Sequence, residues 1–291
     1  MISILISTYN YDCTGLVMDL RKLGDECGRE YEILVGDDGS DDTGIRDSLQ
    51  RLTSLPHCRV IRHSANHGQA TMRNHLADEA KYDWLLFIDS DAAIRDHFFL
   101  KRYIDGVGTA DVIVGGLLHP ERMPDDSCSL RFSYEKKADK HRSAAERSMR
   151  PYNEFTAFNM MMSRWVFHQI RFCEGCKDYG YEDVLFGLEL RKKGIDVSHI
   201  DNPLTHMGLD SNEVFLRKTE TALRTLKSIE GKIGDYSRVK NMADRIKAWH
   251  LCGIVKSVHK VVGPAMRRNL LGRHPSLLVF SLYKLNYYIG I

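Results

Sequence analysis

Trp84-Leu85-Leu86-Phe87-Ile88-Asp89-Ser90-Asp91 is the stretch whose reading decides the fold: five apolar residues, then two carboxylates one residue apart. A short apolar run closed by polar residues reads as a strand buried on both faces. Upstream, Ile2-Ser3-Ile4-Leu5-Ile6 is β-branched and flanked by polar residues, and Tyr31 to Val35 runs into Gly36-Asp37-Asp38-Gly39-Ser40. Helical spacing fills the intervals: Leu16, Leu20 and Leu23 lie on one face, and further helices are expected over about 45–52, 70–80 and 98–103. Arg59-Val60-Ile61 and Val112-Ile113-Val114 read as short strands. Strands alternating with helices of this length predict an α/β chain with a mostly parallel central sheet. Ligands bind such sheets beyond the carboxyl ends of the strands, where both acidic clusters lie.

Composition narrows the classes. With 43% hydrophobic and 27% charged residues over 291 positions, the chain is globular rather than disordered, and it is long enough for one large or two small domains. A net charge of +2 singles out no nucleic-acid partner, and no nucleic-acid-binding module is visible. No apolar run reaches the length of a membrane span, and Ile2–Ile6 lacks the basic flank and cleavage site of a signal peptide, so a cytoplasmic location is expected. Seven scattered cysteines make a poor disulfide framework. Cys173 and Cys176 form a lone Cys-x-x-Cys without the second pair that zinc requires, which predicts ordinary thiols.

Taken singly, the polar clusters allow two readings each. Asp89 and Asp91 are hard oxygen ligands suited to Mg²⁺ or Mn²⁺ shared with phosphates, or they cap a helix. Asp37-Asp38-Gly39-Ser40 is good turn chemistry, or it supplies a carboxylate that accepts from a base N–H or a ribose hydroxyl. Tyr9 stacks on a nucleobase or is a loop aromatic.

The ordered set is more specific. Ile4 to Asn10, Ile33 to Asp42, Asn66-His67-Gly68 with Arg73-Asn74, and Phe87 to Asp91 resemble the nucleotide-sugar half of family 2 glycosyltransferases, which have the GT-A fold. Asn159 to Phe167 is similar to that family's segment before the acceptor site, Gly180-Tyr181-Glu182-Asp183 to its Glu-Asp motif, and His206 stands where many members carry a metal-binding histidine. The resemblance covers about residues 1–215. It implies that Ser7, Tyr9, Asn10 and Asp38 hold the nucleoside. Arg73 approaches ribose or phosphate, and Asp89 binds the ribose. Asp91 and His206 bind Mg²⁺ or Mn²⁺. Asn159 and Glu182 face sugar or acceptor, and Asp183 is the general base. Inverting transfer needs only that one base and a cation on the leaving diphosphate. The implied reaction moves one sugar from a nucleoside-diphosphate sugar, UDP-linked by preference, to a glycan or lipid-linked hydroxyl in polysaccharide or glycolipid assembly.

Two features depart from the family's pattern. Ser7 stands where proline is common, and Ala157-Phe158-Asn159 lacks the usual glycine. There is also no Gln-x-x-Arg-Trp, which predicts non-processive transfer of a hexose. A sugar-phosphate nucleotidyltransferase is a competing reading, but it wants a glycine-rich loop after the first strand, and none precedes Gly15. A nucleotide-sugar-binding module without catalysis is the third reading, against which the full set of Asp89, Asp91, Asp183 and His206 weighs.

The expected organisation is a GT-A domain over 1–211, with a nucleotide-binding half (1–115) and an acceptor half (116–211), then a helical basic region over 212–291. Residues 120–153, with Pro120, Pro124 and Pro151, read as a long loop or a mobile helix, and a strand is expected over 155–162. A helix is expected from Asp183 to Lys193. Between Lys232 and Arg273 ten Lys and Arg face two acids. Followed by the tyrosine-rich end Ser276–Ile291, this region predicts either an interfacial segment on the inner membrane face or a packed helical subdomain.

Overall fold

A computed structural model describes residues 1–174 and 180–291. Cys176 of the lone Cys-x-x-Cys lies outside the described residues. In chain order the elements are β1 (Ile2–Thr8), α1 (Thr14–Cys27), β2 (Tyr31–Asp37), α2 (Thr43–Arg51), β3 (Cys58–Arg62), α3 (Gln69–Glu79), β4 (Trp84–Asp89), β5 (Ala92–Ala93), α4 (Phe99–Gly106), β6 (Val112–Val114) and β7 (Leu117–Leu118). They continue as α5 (Ser129–Asp139), α6 (Ala144–Ser148), β8 (Asn159–Ser163), α7 (Arg164–Gln169), α8 (Glu182–Lys192), β9 (Val197–His199) and β10 (Leu204–His206). The chain closes with α9 (Asn212–Ser228), α10 (Glu230–Ile233), α11 (Arg238–Ala248), α12 (Cys252–Leu271) and α13 (Leu277–Gly290).

Two compact units result. Among the described residues, one comprises 1–118, 141–174 and 186–208; the other comprises 119–140, 180–185 and 209–291.

The first unit is built on a seven-stranded sheet of order β3-β2-β1-β4-β8-β6-β9. The strands β3, β2, β1 and β4 run parallel, β8 is antiparallel to β4 and β6, and β9 is parallel to β6. Strand alternation sorts the core into two layers. Ile2, Ile4 and Ile6 pack with Leu16, Leu20, Phe99 and Tyr103 from α1 and α4. Leu5, Leu34, Leu85 and Phe87 pack with Met72, Leu76, Phe167 and Phe186 from α3, α7 and α8. Each such side chain contributes about 1.5–3 kcal/mol by leaving water. Both faces of β1 and β2 are covered, which explains why their sequences read as continuous apolar runs.

In the middle of the chain the helical alternative holds for part of the segment. Residues 120–153 carry two helices, α5 and α6, and α6 opens with a reciprocal capping box between Ser143 and Glu146. Arg147 of α6 is buried. Its guanidinium donates to the carbonyl oxygens of Val114, Gly115 and Ile200. The strand expected from 155 begins only at Asn159.

The second unit has its own core of Leu130, Leu216, Leu270, Phe280 and Tyr283. Polar ties reinforce it. Asn212 accepts from the Leu130 N–H at 2.7 Å and donates to the Gly272 carbonyl at 3.0 Å. Glu220 accepts from the Tyr283 hydroxyl at 2.7 Å and pairs with Arg267 at 2.8 Å. Phe280, Tyr283, Tyr288 and Ile289 of α13 are buried, so much of the apolar end packs inside this unit. No helix among the described residues is long and apolar enough to cross a membrane.

Candidate active site

Strand register brings the sequence motifs together. Ser7 of β1 lies beside Gly36 of β2 and beside Asp89 of β4, and Thr8 lies beside Asp37. The carboxyl ends of three adjacent parallel strands thus deliver Ser7–Asn10, Asp37–Asp42 and Asp89–Asp91 to one edge of the sheet.

The acidic turn after β2 divides its labour. Asp37 is fully buried, pairs with Arg62 at 2.7 Å and accepts from the Ser40 N–H. Asp42 caps α2 through the Ile45 N–H. Asn10, with φ of 50°, accepts from the N–H groups of Asp41 and Asp42 and pins this turn to the end of β1. Asp38 accepts from the backbone N–H groups of His67 and Gly68 and contacts His63 Nδ1 at 2.8 Å. It thereby holds the loop that leads into α3, where Gly68 takes φ of 95°, a backbone that a side chain rarely tolerates. His63 in turn touches His75 Nδ1 at 2.8 Å. Tyr9 is exposed, its ring open to solvent and its hydroxyl on Asp41. The Ser7 hydroxyl is buried without a hydrogen-bond partner among the described residues.

The second acidic motif caps no helix, because Asp91 leads into β5 and the next helix begins only at Phe99. Asp89 Oδ1 instead receives Arg73 Nη2 and, at 2.9 Å, Gln69 Nε2, both from α3. Arg73 is buried and also lies over the Phe172 ring, 5.1 Å from its centroid. Burial raises the Asp89 carboxyl above the usual range; Arg73 opposes that rise and Asp91 adds to it.

A small second sheet, β5-β10-β7, sets Asp91 against His206. His206 lies opposite Ala92 across the antiparallel β5–β10 pair, and the Met207 N–H donates to the Asp91 carbonyl at 2.8 Å. His206 Nε2 sits 2.9 Å from Asp91 Oδ2, with its ring edge-on to Phe158. Gly208 closes over the same carboxylate: a Cβ there would collide with Asp91 Oδ2. A carboxylate oxygen and an imidazole nitrogen converging in this way fit a divalent cation that takes its other ligands from phosphate and water. No cluster of three or more His, Cys, Asp or Glu residues able to hold a metal occurs among the described residues, so this is no all-protein cage.

Asn159 stands in a different setting from the one expected. It is fully buried. Its Nδ2 donates to the carbonyls of Gly116 and Asn202, and its Oδ1 accepts from the Tyr103 hydroxyl at 2.8 Å. Both amide donors are occupied in tying β8 to the loops around Gly116 and Asn202, which leaves no amide hydrogen for a sugar.

Glu182 and Asp183 begin α8 in the second unit and are half-buried. Glu182 accepts from the Gly180 N–H at 3.0 Å, and the turn before it places Tyr181 at φ of 71°. Acids in a first helical turn are favoured by the helix dipole.

Gln69, Gly208 and the His63–His75 pair were not anticipated. Gln69 follows the Asn66-His67-Gly68 motif, and its place one turn before Arg73 was the available signal. Gly208 carried none, because its contact is with a residue far away in sequence.

Among solved structures, a mannosyltransferase from Pyrobaculum calidifontis in complex with GDP-Man and Mn²⁺ aligns with 99% of this chain and 84% of its own, at TM-score 0.59 and 13% identity. S. aureus TarS in complex with UDP-GlcNAc aligns with 99% of this chain and 90% of its own, at TM-score 0.52 and 17% identity. At such identities the likeness establishes the fold, which is GT-A. An uncharacterized glycosyltransferase of Haemophilus influenzae is 34% identical over 91 residues, which are 31% of this chain and 29% of that protein, so the match spans under a third of the relative's length. The sequence model of glycosyl transferase family 2 matches residues 3–171, more than half of the chain. With the motifs of that family gathered at the carboxyl edge of a GT-A sheet, the chain belongs to glycosyl transferase family 2.

Proposed function

We propose that this protein transfers a single sugar, with inversion, from a nucleoside-diphosphate sugar to a hydroxyl of a glycan or lipid-linked acceptor. The observation that carries the reading is the pairing of Asp91 Oδ2 with His206 Nε2 at 2.9 Å, beside an Asp89 held by Arg73 and Gln69. In this reading Asp91 and His206 hold Mg²⁺ or Mn²⁺. The cation, when bound, neutralises the departing diphosphate. Asp89 accepts from the ribose, and Arg73, buried and pre-aimed by its ion pair, is positioned near ribose or phosphate. Tyr9 offers an open ring for base stacking, and the unpartnered Ser7 hydroxyl offers a hydrogen bond to the nucleoside. Asp183 takes the proton of the acceptor hydroxyl, and Glu182 orients donor sugar or acceptor. A single base suffices for in-line displacement, so no carboxylate nucleophile is required. Uridine is the preferred base, and polysaccharide or glycolipid assembly is the setting proposed. Support for a nucleotide-sugar donor comes from fold neighbours solved with GDP-Man and with UDP-GlcNAc.

Calorimetric titration with UDP and with GDP, each in Mn²⁺ and in EDTA, tests the donor side. Binding of UDP that disappears in EDTA is expected. Equal binding with and without metal removes the role of Asp91 and His206, and tighter binding of GDP replaces uridine with guanosine.

A further inference from the structure

The helical unit carries a surface that sugar transfer does not explain. On α12, Leu251 at the N-cap, Ile254, Val258 and Val261 recur at three- and four-residue intervals, so they form one stripe along the helix. They point to solvent: Ile254 is 62% exposed and Val261 80%. The inward face of the same helix is separate and already occupied, through Gly263 and Leu270. Trp249, just before the stripe, is exposed as well.

Charge along α12 itself has one sign. No Asp or Glu occurs among its 20 residues, while Lys260 and Arg268 lie exposed on it. At about 100° per residue these two cations border the apolar stripe on one flank, whereas Lys256 stands on the opposite side of the helix. An acid-free helix with an exposed apolar stripe bordered by exposed cations is complementary to a surface that is apolar within and negative at its face.

We propose that α12 docks the protein on an anionic lipid bilayer, with Leu251, Ile254, Val258 and Val261 entering the interface and Lys260 and Arg268 receiving lipid phosphates. The proposal moves membrane contact from the tyrosine-rich end, where Phe280, Tyr283 and Tyr288 are buried though Leu278 and Leu282 are exposed, to the helix before it. A second copy of the chain is a poorer occupant, because a symmetric contact through α12 sets its lysines against each other.

Vesicle flotation of the full chain tests this. Vesicles of equal parts phosphatidylcholine and phosphatidylglycerol are compared with vesicles of phosphatidylcholine alone. Flotation is expected with the anionic vesicles only, and it weakens as salt is raised. Val258→Asp with Val261→Asp is expected to reduce the apparent affinity about tenfold or more. Lys260→Glu and Arg268→Glu are each expected to cost roughly fivefold or more. Both valines are solvent-facing, so melting and nucleotide titration serve as folding controls for these variants. Brominated lipid should quench Trp249 in the unmodified sequence, with Trp249→Phe removing the quenched signal, a readout that needs no stripe variant to fold. The proposal is overturned by absence of flotation with anionic vesicles, by equal flotation with neutral ones, or by unchanged binding of the double Asp variant. It is also overturned if that variant merely converts a dimer to a monomer.

Discussion

At the carboxyl edge of the seven-stranded sheet, Asp38 ends on two backbone N–H groups and a histidine, Asp89 on Arg73 and Gln69, and Asp91 beside His206. On α12 of the helical unit, Ile254, Val258 and Val261 end on solvent. The first region fixes charged groups in position before any ligand arrives, so little reorganisation remains when a diphosphate binds. The second keeps apolar area uncovered, and exposed apolar area acquires meaning only when a partner covers it. One region is therefore disrupted by changing single polar atoms, the other only by changing the character of its surface.

The sharpest break in that comparison is at the proposed base. Asp183→Asn is expected to lower kcat by about 10²–10⁴ while leaving nucleotide affinity unchanged. Near-normal turnover would assign the proton to another group, and loss of nucleotide binding would make Asp183 a binding residue.

Asn159→Ala comes next. It leaves the buried Asn202 carbonyl without its Nδ2 donor and removes one of two partners from the Gly116 carbonyl and the Tyr103 hydroxyl, and is expected to cost about 2 kcal/mol in urea unfolding. Donor binding by the folded protein should be retained. A selective rise in donor KM at unchanged stability would return Asn159 to the sugar pocket.

Gly208→Ala sharpens the reading of the cation site. The new methyl group displaces the Asp91 carboxylate, so Mn²⁺-dependent nucleotide affinity should fall about 10–100-fold, with metal-free binding unaffected. Asp91→Asn should act in the same direction. Unchanged titration curves for both would remove Asp91 from the metal.

His199 tests whether the supporting scaffold has its own pH limit. Its Nδ1 accepts from Arg147 and its Nε2–H donates to the Pro151 carbonyl, and burial, together with Arg147, lowers its pKa to about 4. The unfolded chain takes up this proton near pH 6.5 and the folded chain only near 4. Stability from this group is thus complete above about 6.5 and falls as the pH drops through that window, by on the order of 2 kcal/mol. Melting curves across this range should show the slope, and His199→Gln should flatten it.

The smallest effect belongs to the other region. Val261→Asp should change unfolding free energy by no more than about 0.5 kcal/mol and leave nucleotide titration unaltered. A large destabilisation would mean that the stripe packs within the protein.

Legibility followed the range of the interactions. The run 84–91, the turn 37–42 and the helix starting near 183 could be read because strand burial, turn chemistry and helix ends are written in neighbouring residues. For residues 120–153, three prolines and dense charge left loop and helix both open. Helix α6 there is secured by a capping box and by Arg147, three of whose carbonyl partners lie more than thirty residues away in sequence. Strands β5, β7 and β10, two or three residues each, are too short to carry any periodicity, yet they bring His206 to Asp91. The burial of Asn159 has no local mark, because its partners at Tyr103, Gly116 and Asn202 are more than forty residues away.

By itself, then, the sequence determined the alternation of strand and helix, the family, and the strand ends at which acids accumulate, since all of these follow from periodicity and from short motifs. Only the tertiary structure decided which of those acids are already committed to holding loops and which converge with His206, that Gly208 must lack a side chain, and that one face of α13 is buried while the outer face of α12 is not. Those outcomes depend on pairings between residues tens to a hundred or more positions apart, and no local pattern encodes which distant partner closes a hydrogen bond or covers an apolar face.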